Sequence, residues 1–107
     1  MGTQGTVYRV DTFTVPPSAR DEFLTNVHRT HDHLRALPGF VHDLILEKPS
    51  DDGAVIIMTL AAWENADELA SAREAMRRKH QQDGFDPKAL IDRLGITADL
   101  AEYTEAG

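Results

Sequence analysis

The spacing of apolar and polar positions changes period several times along this chain, and each change marks a predicted element. Residues Thr6–Val15 are rich in Val, Thr, Tyr and Phe and end at Pro16-Pro17, which reads as a strand. Ser18 is then expected to cap a helix that carries Asp21 and Glu22 in its first turn, an approximate capping box. Phe23, Leu24, Val27, His31, Leu34 and Leu37 recur at three- and four-residue steps on one face of that helix, and Pro38-Gly39 stops it. From Phe40 to Lys48 the pattern alternates, with Val41 and Ile45 on one side and Phe40, Leu44 and Leu46 on the other. Pro49-Ser50-Asp51-Asp52-Gly53 is turn chemistry, so this strand and the next form a hairpin. Ala54–Trp63 is apolar on both faces, as a central strand covered on both sides would be. Asn65 is placed to cap a second helix reaching Gln82, with Asp67 and Glu68 in its first turn and Leu69, Ala72, Met76 and His80 on its apolar face. Pro87–Leu94 reads as a short third helix ended by Gly95, and Ile96–Thr104 as a last strand.

The order β-α-β-β-α-(short α)-β fits one topology well. Right-handed crossovers around an antiparallel hairpin give an α+β, ferredoxin-like split βαβ sandwich with two helices on one face of an antiparallel sheet. At 107 residues the chain has room for one core, so residues 1–107 are expected to form a single domain. The central strand is apolar on its other face too, and no helix remains to cover that face. A twofold homodimer packed sheet to sheet is the expected solution.

Composition narrows the chemistry. The absence of cysteine excludes a disulfide framework, thiolate catalysis, Cys-ligated zinc and iron–sulfur clusters. With 11 Lys+Arg against 18 Asp+Glu, the formal charge of −7 repels a phosphate backbone, so nucleic acid is not an expected partner. The one dense basic cluster, Arg77-Arg78-Lys79, is expected to face the negative end of the second helix. No apolar run approaches the roughly 18–20 residues that span a bilayer, and the N-terminus lacks the charged and apolar regions of a signal peptide. The expectation is a soluble cytoplasmic protein with no membrane partner. Phosphate loops, dinucleotide glycine fingerprints, nucleophile elbows and zinc motifs are all missing from the sequence. What remains is chemistry that needs a cavity and one or two bases.

His28, Arg29, His31, Asp32 and His33 form the densest polar cluster, but the helical period sends Arg29 and His33 toward solvent, so no metal site is expected. His31 lies on the apolar stripe with Val27. There it is either a core histidine bonded to a strand group or water, or a general base, because neutral imidazole accepts a proton near neutral pH. His80 is either a cation at the helix end or a second proton donor reaching the same cavity. Trp63 can wedge the strand–helix junction with its N–H bonded nearby, or line a pocket and stack on an aromatic substrate. Arg9 and Asp11 share a strand face, as a surface or interface pair or as an anion holder and a proton acceptor inside a pocket. Tyr8 and Tyr103 are two further phenols whose position the pattern leaves open.

The runs Leu34-Arg35-Ala36-Leu37-Pro38-Gly39-Phe40 and Trp63-Glu64-Asn65-Ala66-Asp67-Glu68-Leu69, separated by a hairpin, resemble the antibiotic biosynthesis monooxygenase superfamily of dimeric α/β barrels over residues 6–82. The resemblance implies the ferredoxin-like fold and the homodimer. It also implies cofactor-independent oxygenation of a small aromatic or polyketide-like substrate. For that chemistry the residue pattern itself offers His31 as base, Phe23, Val27 and Trp63 as wall and His80 as secondary donor. The quinone-forming members carry an Asn four residues before this tryptophan and a Tyr six after it, where this chain has Thr59 and Leu69. The haem-degrading members carry an Asn and a Trp where this chain has Val10 and Ala72, and His80 falls two residues short of their histidine. Other activities in the superfamily give the alternatives: an isomerase or cyclase working by proton transfer, a haem-binding protein with His31 or His80 as axial ligand, or a non-catalytic dimeric binding module.

Overall fold

In the computed structural model, which describes residues 5–106, the elements follow the expected order. They are β1 (Val7–Val15), α1 (Arg20–Leu34), β2 (Phe40–Pro49), β3 (Val55–Trp63), α2 (Ala66–Asp83), α3 (Pro87–Leu94) and β4 (Thr97–Thr104). The four strands form one sheet in the order β2-β3-β1-β4, with every neighbouring pair antiparallel. This is the ferredoxin-like split βαβ arrangement, with the apolar β3 in the interior of the sheet.

Local chemistry sets most boundaries. Asn65 is extended and accepts a hydrogen bond from the Glu68 N–H, which starts α2. Asp86 accepts from the N–H groups of Lys88 and Ala89, and Pro87 supplies the first turn of α3. Gly95, at φ 71°, ends α3 in the left-handed region and turns buried Ile96 back into the core. Gly39 needs its glycine twice over. It has φ 82°, and a β-carbon there would overlap the Glu68 side chain of α2, so the Pro38-Gly39 turn can press against the second helix only without one.

Several boundaries and faces differ from expectation. Ser18 is exposed and caps nothing. Pro17–Ala19 form a single 3-10 turn whose Pro17 carbonyl takes the Arg20 N–H, so α1 starts without a side-chain cap. α1 ends at Leu34, and a tightened turn, with Leu37 N–H bonded to Leu34 O at 3.0 Å, carries the chain to Pro38. A bulge at Phe40/His42 shifts the register of β2 against β3. Phe40 therefore joins Ile45 on the helix-covered face, whereas the uncorrected alternation put it with Leu44 and Leu46. Arg77, Arg78 and Lys79 do not serve the helix end. The two arginines pair with Glu74 and Lys79 pairs with Asp83, each within one turn.

The core lies in two clusters between sheet and helices. One gathers Phe13, Val15, Ala19, Phe23, Val27, Ile57 and Ile96, with Phe13 and Phe23 edge to face at 4.8 Å. The other gathers Val7, Ala61, Trp63, Leu69 and Ala72, with Leu34, Leu37 and Phe40 packed against it. The helix-covered residues between them are polar. Arg9 and Asp11 of β1 stand across from Ala61 and Thr59 of β3, with Asp43 of β2 beyond Ala61.

Candidate active site

The gap between the two core clusters opens into a cavity of about 490 Å³ between the helices and the sheet. Phe23, Val27 and His31 enter it from α1, and Ala72, Met76 and His80 from α2. Arg9, Asp11, Thr59 and Trp63 enter it from the sheet. All seven residues singled out from the sequence therefore line one space: His31, His80, Phe23, Val27, Trp63, Arg9 and Asp11. Tyr8 and Tyr103 do not. They pair across β1 and β4 on the opposite face, where the Tyr8 hydroxyl donates to Glu105 at 2.8 Å.

His31 is 5% exposed, and its Nδ1 lies 2.8 Å from Oδ2 of Asp43. An ionised carboxylate only accepts, so Nδ1–H donates to it and the neutral ring keeps its lone pair on Nε2. Nε2 has no protein partner among the described residues. Asp43 is itself fixed. Arg35 donates to both its oxygens, Nε to Oδ1 at 3.1 Å and Nη2 to Oδ2 at 2.8 Å, and its Nη1 donates to Asp32 at 2.7 Å. The Arg35 guanidinium holds the Asp43 carboxyl below the usual carboxylate range; burial opposes this and the bond from His31 reinforces it. His31 is thus a buried histidine bonded to a strand group, as one of its two expected readings had it, and its ring also lines the cavity. One ring nitrogen is bonded to a strand and the other is free of the protein.

Asp11 behaves in the opposite way. Burial raises its carboxyl above the usual range, although Arg9 donates to it from Nε at 2.7 Å and pulls the other way. Trp63 is 1% exposed and stands edge to face with Phe40 at 5.6 Å. The expected bond from its indole N–H is not there; Nε1 is buried with no acceptor. A desolvated orphan donor costs about 1–3 kcal/mol, and such groups are rare unless something else supplies the acceptor. His80 is held by the end of its own helix. Gly84, left-handed at φ 66°, lets Phe85 N–H bond back to the His80 carbonyl at 2.9 Å, which sets the Phe85 ring against the imidazole at 5.3 Å.

The sequence pattern missed Asp43 and Thr59, along with Arg73 and Arg77 on the cavity side of α2. The signal for Asp43 was its two-residue spacing from Ile45, which places both on one strand face. In the polar cluster of α1, Asp32 pairs with Arg35, and His28 and Arg29 are exposed. Among the described residues no group of three or more His, Asp or Glu converges as metal ligands.

The fold and the cavity define an α+β ferredoxin-like sandwich with a ligand-sized chamber between its layers. The chain belongs to the antibiotic biosynthesis monooxygenase family, whose model matches residues 6–85. The fold recurs in a solved structure from Shewanella loihica at TM-score 0.76 and 15% identity, covering 99% of both chains. SnoaB, a cofactor-independent oxygenase from Streptomyces nogalater, aligns at TM-score 0.66 and 24% identity over 96% of this chain and 95% of its own. A dimeric ferredoxin-like protein from an uncultured marine organism aligns at TM-score 0.70 and 5% identity over 92% of each chain. No curated protein matches the sequence.

Proposed function

We propose that this protein is a cofactor-independent oxygenase of a small aromatic or polyketide-like molecule, working as a sheet-to-sheet homodimer. The observation that carries the reading is the Asp43–His31 dyad, whose free Nε2 belongs to a residue lining an apolar cavity with Trp63 in its wall. Nε2 removes a proton from an activated phenol or methylene of the substrate, and Asp43 stabilises the imidazolium that results. The substrate carbanion passes one electron to O₂, and the radical pair closes a C–O bond. The hydroperoxide then gives up a second substrate proton, the O–O bond breaks and water leaves. One CH₂ and one O₂ become one C=O and one H₂O, with the substrate as the only reductant. Trp63 forms part of the wall against which the substrate ring packs. His80 is the second proton carrier. The exposed apolar side chains of the uncovered sheet face, Leu44, Leu46 and Met58, support the homodimer.

An oxygen-electrode assay with 1,8-dihydroxyanthrone tests the chemistry. One O₂ consumed per quinone formed, one ¹⁸O atom from ¹⁸O₂ in the product, and loss of both in His31→Gln are the expected results. Substrate turnover without O₂ uptake would overturn the reading in favour of proton-transfer isomerisation. Haemin binding with a Soret band that His31→Ala or His80→Ala abolishes would overturn it in favour of haem handling.

A further inference from the structure

The cavity is charged in the opposite sense to the rest of the protein. Across the chain carboxylates outnumber Lys and Arg by 18 to 11, yet the cavity is lined by three arginines, Arg9, Arg73 and Arg77, and a single carboxylate, Asp11. Arg9 is committed to Asp11 near the sheet. Arg73 and Arg77 are one turn apart on α2, and their side chains are about half exposed, which puts them where the cavity meets solvent. Their protein partners sit outside the lining: Arg73 reaches over to Glu102 of β4, and Arg77 to Glu74 of its own helix. Below them the walls are apolar, with Phe23, Leu69, Met76 and Trp63.

We infer that the substrate is an aromatic acid whose ring system enters the apolar chamber and whose carboxylate is held at the entrance by Arg73 and Arg77. This deepens the oxygenase reading and rests on it for the identity of the site. Two forked guanidiniums recognise a carboxylate in its plane, and both arginines are exposed enough to exchange their present partners for the ligand. On a surface that repels anions on average, this entrance is where an anion is steered inward. The Arg73–Glu102 pair spans the gap between α2 and β4, so the arriving carboxylate competes with Glu102 for Arg73.

Trp63 is the sole tryptophan and lines the cavity, so its fluorescence reports occupancy without turnover. The probes are anthraquinone-2-carboxylate and the neutral anthraquinone-2-carboxamide. The wild-type protein is expected to bind the acid roughly tenfold more tightly than the amide. In R73Q/R77Q the two ligands bind alike, with amide affinity unchanged, and R73K/R77K restores part of the acid preference. E102Q, which frees Arg73, strengthens acid binding alone. R77Q by itself breaks only an intrahelical pair and is expected to narrow the acid-to-amide ratio even if the double variant fails to fold. Equal binding of acid and amide by the wild type, equal loss of both in R77Q, or no quenching by either overturns the inference. Acid-selective binding without O₂ uptake on any anthrone would sink the oxygenase reading and leave this one standing.

Discussion

The two faces of the sheet use the same four strands in opposite ways. A sheet with one covered face normally turns apolar residues inward and polar residues outward. Here the middle of the helix-covered face holds Arg9, Asp11, Thr59 and Asp43. The uncovered face carries Val10, Leu44, Leu46, Met58 and Leu60, with Leu46 50% exposed. Each inversion leaves an unfinished interaction. Inside, Asp11 is desolvated, Trp63 lacks an acceptor and one nitrogen of His31 has no protein partner among the described residues. Outside, contiguous apolar side chains face water, and in the proposed homodimer a second sheet covers them. A charged substitution should therefore disrupt assembly on one face, whereas a neutral, shape-preserving one should stop chemistry on the other.

The largest effect should come from His31→Gln, which keeps shape and removes the base. The oxygenase kcat is expected to fall by roughly 10²–10⁴, or about 3–5 kcal/mol in the barrier, with anthraquinone binding retained, measured by oxygen electrode and Trp63 quenching. Met58→Asp on the opposite face is the next largest. An unpaired charge at a sheet–sheet contact should raise the dimer dissociation constant by about a hundredfold or more, read by sedimentation equilibrium. Ligand binding should persist in that variant, because Met58 points away from the cavity; a dimer that survived would show that this face is not the interface.

Asp43→Asn should be smaller, lowering kcat by about 10–100-fold through the tautomer and orientation of His31 and lowering stability by about 1–3 kcal/mol. Its pH signature is specific. The native carboxyl titrates below its unfolded value, so its stabilisation is present above the ordinary carboxylate pKa and is lost as pH falls through the native one. Urea unfolding between about pH 5 and 2 should show that slope weakened in Asp43→Asn. Asp11, raised by burial, has the reverse sign. Its contribution is present below the unfolded pKa and is lost as pH rises through the native one, and Asp11→Asn should remove that opposing slope. Trp63→Phe should have the smallest effect on the fold. Loss of buried ring area is offset by relief of the orphan N–H, so stability by thermal unfolding should change by about 1 kcal/mol or less, while the altered cavity wall should lower kcat/KM by about tenfold.

Much of the fold could be read from the sequence because period and punctuation are local. Asn65, Pro87 and Gly95 mark helix ends through their own backbone chemistry, and the apolar run of β3 marks an interior strand. The residues gathered in the cavity were legible for the same reason, since a histidine on an apolar stripe and an Arg–Asp pair on one strand face stand out against their neighbours. Ser18 misled because Pro16-Pro17 set up a 3-10 turn whose carbonyl made the cap unnecessary. Phe40 misled because a bulge changes which residues share a face, and no single strand announces its own bulge.

The sequence by itself determined the element order, the ferredoxin-like topology and the candidates on α1, α2, β1 and β3, because each depends on spacing within one segment. Only the tertiary structure decided that Asp43 on β2 meets His31 on α1, twelve residues away across a turn, and that Arg73 reaches Glu102 on β4. Those pairings depend on the register after the bulge and on the height at which each helix lies on the sheet. The same geometry left the Trp63 N–H without an acceptor, because a hydrogen bond depends on where two segments end up relative to each other.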